Sequence, residues 1–112
     1  RQLMQPKTPP TLLQYPPVNA QTGTTYTLTQ NDNGAVITCA NGSATTVTIP
    51  VGLGKGFNCL IIQIGAGTVT IAGATGVTLN NADSYTDISG QYGAATLYSY
   101  ATDTFYLGGQ LA

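Results

Sequence analysis

With 112 residues the chain has room for one domain of ordinary size and not for two. Only 6% of its residues are charged, against about 25% in a typical globular domain. Net charge is -1, Glu, His and Trp are absent, and the three cations are Arg1, Lys7 and Lys55. That set excludes a basic surface for nucleic acid. It also excludes imidazole-based proton transfer and a zinc site with histidine ligands. No apolar stretch of about 18 residues is present, so no membrane-spanning helix is expected.

The first 21 residues form a segment of their own. Five of the six prolines lie here, Pro6, Pro9, Pro10, Pro16 and Pro17. Proline fixes φ and lacks an N–H, so neither a helix nor a central strand is expected. An extended, polyproline-like arm is predicted, reaching roughly 60 Å if twenty residues rise about 3.1 Å each. The opening RQLMQPKTPP has no apolar core, so no signal peptide is expected there. Leu12, Leu13 and Tyr15 are large apolar residues of a kind that flexible tails lack. Together with Pro10, Pro16 and Pro17 they read as a docking arm. Attachment to a partner and packing on the chain's own domain suit them equally.

From residue 22 to 112 the pattern is period two, the signature of strands. Thr, Val, Ile and Tyr fit a pleated surface. TTYTL at 24–28 sets Tyr26 and Leu28 on one face. AVITC at 35–39 follows. TTVTI at 45–49 sets Val47 and Ile49 inward and Thr46 and Thr48 outward. NCLIIQI at 58–64 is continuously apolar and predicts a central strand buried on both faces. TVTI at 68–71 and GVTL at 76–79 repeat the alternation. ATLYSYA at 95–101 and TFYLG at 104–108 read as a hairpin turning at Thr102-Asp103. Asn33-Gly34, Asn41-Gly42 and the Gly52–Gly56 stretch supply turns. The expected fold is all-β, a compact antiparallel β-sandwich or barrel of about 7–9 short strands with an extended N-terminal arm. TTVTIP and GTVTIA recur 22 residues apart, near the length of a β-solenoid rung. That makes a solenoid the minor alternative.

Few residues offer chemistry. Gly52-Leu53-Gly54-Lys55-Gly56 lacks the Ser/Thr and the following helix of a phosphate loop. Asn31-Asp32-Asn33-Gly34 lacks the closing Glu of a calcium loop and reads as a hairpin turn. Asn41-Gly42-Ser43 matches a glycosylation acceptor and equally a plain turn. Cys39 and Cys59 read as free, buried, small apolar residues. No serine or cysteine has a visible activating base. Among the four aspartates only Asp83 and Asp87, if close in an open groove, would suit glycoside hydrolysis. No catalytic residue, cofactor or metal site is expected. Tyr98 and Tyr100 share a strand face, and Tyr106 lies nearby. These three are the interface or ligand candidates, packing being the commoner role of such residues.

Three segments carry a family resemblance: TGTTYTLTQNDNG at 22–34, TTVTIPVGLGKGFNCLIIQIGAGTVTIAG at 45–73, and GQYGAATLYSYATDTFYLGGQL at 90–111. Their order resembles a small β-domain of tailed-bacteriophage virion proteins, found in capsid decoration (cement) proteins, head fibres and the ends of tail fibres. The closing segment there often carries Trp, where this chain has Phe105-Tyr106. The resemblance implies a non-enzymatic virion component. A decoration protein on the outer capsid surface is expected, assembled in the host cytoplasm, with the major capsid protein as partner and a homotrimer as its oligomer. The alternative is a head-fibre or tail-fibre module contacting host surface glycans. Neither nucleic acid nor membrane is an expected partner.

Overall fold

The structure, a computed structural model, describes residues 15–112. Nine strands account for the period-two segments: β1 (Val18–Gln21), β2 (Thr25–Thr27), β3 (Val36–Cys39), β4 (Thr45–Ile49), β5 (Asn58–Gln63), β6 (Val69–Gly73), β7 (Thr78–Asn80), β8 (Ala94–Ala101) and β9 (Thr104–Gly109). The one helical element among the described residues is a 3-10 turn at Gln30–Asp32. The all-β class is as expected.

The antiparallel sandwich is not what forms. β1, β3 and β5 lie side by side and parallel in one sheet, and β2, β4 and β6 do the same in a second. The chain therefore winds as a flattened coil, crossing between sheets at each corner, in three rungs: β1–β2, β3–β4 and β5–β6. Parallel neighbours need a long crossover connection. Here the strand in the opposite sheet serves as that crossover, so short corners suffice. The Asn31–Gly34 stretch is accordingly a corner between sheets and not a hairpin turn.

Register confirms the winding. Val36 faces Leu60 and Thr46 faces Thr70, an advance of 24 residues in both sheets. The sequence repeat of 22 aligns Val47 with Val69, but the ladder pairs Val47 with Ile71. A slip of two residues keeps every side chain on its face. The corners stack as closely as the strands. A Cβ on Gly65 would overlap the Asn41 backbone, and one on Gly67 would overlap the Ser43 carbonyl. The Gly67 N–H donates to the Asn41 carbonyl at 2.9 Å.

Beyond the third rung the chain changes direction. β8 runs antiparallel to β5, β9 antiparallel to β8, and β7 parallel to β9, giving the order β1-β3-β5-β8-β9-β7. The β8–β9 hairpin turns at Thr102-Asp103 as expected. Residues 86–89 close this end. The Ile88 N–H donates to the Val69 carbonyl at 2.8 Å, and the Ser89 N–H donates to the Gln110 carbonyl at 2.9 Å. Ile88 itself is buried under the closure.

The core lies between the sheets. Leu28, Ile37, Val47, Ile49, Ile61, Val69, Ile71, Leu97 and Leu107 fill it, and Phe57 meets Phe105 edge to face at 6.3 Å. Leu28, Val47 and Ile49 take the expected inward face, while Tyr26 is half-buried. β5 is not buried on both faces. Cys59, Ile61 and Gln63 are inside, and Leu60 and Ile62 are half-exposed on the outer face. Strand pairing begins at Val18, inside the stretch 1–21 assigned to the arm. Of the arm residues, Pro10, Leu12 and Leu13 lie outside the described residues. Tyr15, Pro16 and Pro17 are exposed.

Cys39 and Cys59 are free and buried. Cys39 faces Gln63 across the ladder, four residues beyond Cys59. That is about 13 Å at roughly 3.3 Å per residue, too far for a bridge. Burial pushes both thiols up, Cys59 to about 12 with the Asp32 charge adding to it.

Replacing Val47 by Asp buries a charge without a partner, and no cooperative melt is expected by circular dichroism. Gly67→Ala overpacks a corner and is expected to cost roughly 1–3 kcal/mol, read as a lowered denaturation midpoint. The raised thiol pKa values contribute to the alkaline behaviour. Both thiols are protonated in either state below about pH 9. Above it the unfolded state loses its protons first, so stability falls as pH rises toward about 12. Urea melts at about pH 8 and about pH 10 check this. Cys59→Ala is expected to reduce the dependence, with Cys39 supplying the remainder in this range.

Candidate binding groove

Alternation along the last hairpin sends Leu97, Ser99, Phe105 and Leu107 into the core and leaves Tyr98, Tyr100 and Tyr106 outside. All three tyrosines are about half exposed: Tyr98 45%, Tyr100 50% and Tyr106 50%. The ladder then aligns side chains across four strands. Asn58 faces Tyr98, Tyr98 faces Tyr106, and Asn80 faces Tyr106. The outer face thus carries a row Asn58–Tyr98–Tyr106–Asn80, perpendicular to the strands.

Two local devices fix the rings. A Cβ on Gly108 would overlap the Tyr106 phenol oxygen and would come within 2.8 Å of its Cε2 and Cζ. The Tyr106 ring therefore lies down along β9 over Gly108. The second device is a bulge between Ser99 and Ala101. Bulges re-aim the neighbouring side chain. The buried Ser99 hydroxyl holds this one, donating to the Ala101 carbonyl at 2.9 Å with Thr104 O at 3.2 Å. Tyr100 is thereby set to reach over β9, and its oxygen accepts from Asn80 Nδ2 at 2.7 Å.

The floor and wall are completed by the turn after β7. Asn81 Oδ1 accepts from the Asp83 and Tyr85 N–H groups, both at 3.0 Å, and its Nδ2 donates to the Leu107 carbonyl at 2.8 Å. This ties the turn to β9. The result is a groove of about 560 Å³ lined by Asn80, Asn81, Ala82, Tyr98, Tyr100 and Tyr106. None of these six is charged. Ring faces beside amides and phenols suit a hydroxyl-rich apolar-faced ligand or another protein surface.

The expected tyrosines are thus brought together. Tyr85 and Tyr92 are exposed outside the groove. Asn58, Asn80, Asn81, Ala82 and Gly108 were not singled out from sequence, because their place depends on how β5, β7 and β9 pair. The one usable signal was Tyr-x-Gly at 106–108, an aromatic two residues from a glycine on one strand face.

The other candidate segments serve the fold. Gly52, Gly54 and Gly56 have positive φ, Leu53 is buried, and the Gly52 N–H donates to Asp103 Oδ1 at 2.8 Å. Asp32, 2% exposed, accepts from the Tyr26 hydroxyl at 2.6 Å, Asn19 Nδ2 at 2.9 Å and the Thr29 N–H at 2.9 Å. It staples β1, β2 and the 3-10 turn. Burial, with the Asp32 carboxylate beside it, holds the Tyr26 hydroxyl above its ordinary pKa. Asp87 accepts from the Thr70 hydroxyl at 2.6 Å, and Asp83 lies exposed in its turn. Among the described residues no three His, Cys, Asp or Glu side chains gather as a metal site would need. No helix among them is long and apolar enough to cross a membrane. No protein-family model matches the chain, and no curated protein matches it in sequence.

Proposed function

We propose that this chain is a capsid decoration protein of a tailed bacteriophage, a non-catalytic module mounted by its arm on the assembled head. The observation that carries the reading is the separation of two ends. β1, which the arm enters, is one edge of the six-stranded sheet, and β7, beside β9, is the other. Five strand steps at about 4.8 Å place them about 24 Å apart. A module built this way attaches at one end and displays the other. Residues 1–17 lace over neighbouring copies of the major capsid protein, burying Leu12, Leu13 and Tyr15 beside Pro10, Pro16 and Pro17. Because that surface exists only on the assembled shell, binding stabilises the shell by mass action. A homotrimer over subunit junctions on the outer head surface is the expected arrangement.

The tyrosine row favours a second reading, a head-fibre or tail-fibre module that contacts host surface glycans. Immunogold labelling of particles separates the two. Label over the head supports decoration, and label at the tail tip or on fibres supports receptor contact.

Deleting residues 1–14 leaves β1 intact. The truncated protein is expected to melt as the full chain does and to lose at least about tenfold in shell occupancy, since each buried leucine is worth roughly 1.5–3 kcal/mol. Full decoration by the truncated protein overturns arm docking. Leu12→Ser with Leu13→Ser is expected to act in the same direction.

A further inference from the structure

We propose that the Tyr98–Tyr106 row is a subsite for a neutral oligosaccharide, with a pyranose ring seated on the face of Tyr106. The proposal rests on the glycan-contact reading above and names its ligand class.

The first argument is ring attitude. A tyrosine standing up from a sheet offers an edge, and a tyrosine lying down offers a face. Gly108 is buried and its missing Cβ is what lets the Tyr106 phenol lie along β9. The phenol end of the ring is then packed against β9 at Gly108, and half of the residue stays open to solvent. A flat, half-open ring matches the apolar C–H face of a pyranose, which needs a large apolar body with polar groups at its rim.

The second argument is the rim. Tyr98 stands beside Tyr106 in direct register. Asn80 donates to the Tyr100 oxygen, so the Tyr100 hydroxyl proton is left to donate elsewhere. Among the described residues, Asn80 Oδ1 and the Tyr98 and Tyr106 hydroxyls have no protein partner. Donors and acceptors therefore surround the ring face, as a sugar bearing hydroxyls on every side requires.

The third argument is charge. The groove residues carry none, and Lys55 is the single cation among the described residues. The turn that forms one wall continues from Ala82 into Asp83. A uronate or sialate would meet no counter-charge there, and would have a carboxylate nearby. A neutral sugar loses nothing.

The groove sits on strands and a tied turn, so its shape exists before the ligand arrives. Its volume of about 560 Å³ falls within the roughly 300–1,000 Å³ of small-ligand sites. It is open to solvent, so a sugar can reach the tyrosines from outside.

The test is a titration of the full chain, followed by amide and side-chain amide NMR shifts. The neutral probes are maltotetraose, cellotetraose and N,N′,N″,N‴-tetraacetylchitotetraose. The acidic probes are sialyllactose and tetragalacturonate. At least one neutral probe is expected to shift Asn80, Tyr98 and Tyr106, with the acidic probes silent. Tyr106→Ala, an outward substitution, is expected to abolish the shifts and leave the melt unchanged. Gly108→Ala touches no ligand and acts by lifting the ring. It is expected to weaken binding about tenfold while Tyr92→Ala, outside the groove, leaves binding unchanged. Binding of the acidic probes alone overturns the neutral-sugar assignment and leaves glycan contact standing. Silence from every probe overturns both. Groove shifts that follow protein concentration instead of sugar overturn both as well, and assign the row to a second copy of the chain.

Discussion

A single rung of this coil has too little apolar surface to hold itself together. β3 contributes Ile37 and Cys39 to the interior, and β4 contributes Val47 and Ile49. Each rung becomes stable when its backbone pairs with the rung beside it and its inward residues join a common column, the logic of all solenoids. With so few charges, surface ion pairs add little. Ladder hydrogen bonds, inward aliphatic columns and close corner stacking carry the fold. The glycines at 65 and 67 matter for this reason, since they set how near one corner can approach the next.

The groove depends on the same constraint. Its row exists because β5, β8, β9 and β7 are held in one register, so that Asn58, Tyr98, Tyr106 and Asn80 fall in line. The inward residues of the hairpin, Leu97, Phe105 and Leu107, fix that register by burial. A one-residue slip would send the tyrosines into the core. Core packing and groove geometry are thus two faces of one set of strands, and a change inside is felt outside.

Much of this was legible in the sequence. Period-two alternation located the strands from Thr25 onward and placed Val47, Ile49 and Leu28 inside. It also put Tyr98 and Tyr100 on one face. Alternation carries no information on whether the next strand runs parallel or antiparallel, because both give the same inward and outward sets. The coil was therefore underweighted against the sandwich. The repeat of TVTI was a true sign of rungs, but its apparent spacing of 22 misses the ladder spacing of 24, since equivalent faces recur every second residue. Asp32 shows another limit. In Asn31-Asp32-Asn33-Gly34 it looks like a solvated turn residue, and only the meeting of Asn19, Tyr26 and Thr29 around it makes burial tolerable. Asn80 and Gly108 were hidden for a similar reason, as their roles arise from β7 pairing with β9.

The two ends of the coil are unlike. Residues 86–89 and Ile88 seal the end beyond the third rung, whereas β1 and β2 have no neighbour on their outer edges among the described residues. This gives the architecture a direction of growth. A rung added before β1 would find backbone groups waiting in both sheets, while one added past β6 would meet the backbone of residues 86–88, already paired there. The open edges are only four and three residues long, short enough to discourage unplanned sheet-to-sheet association.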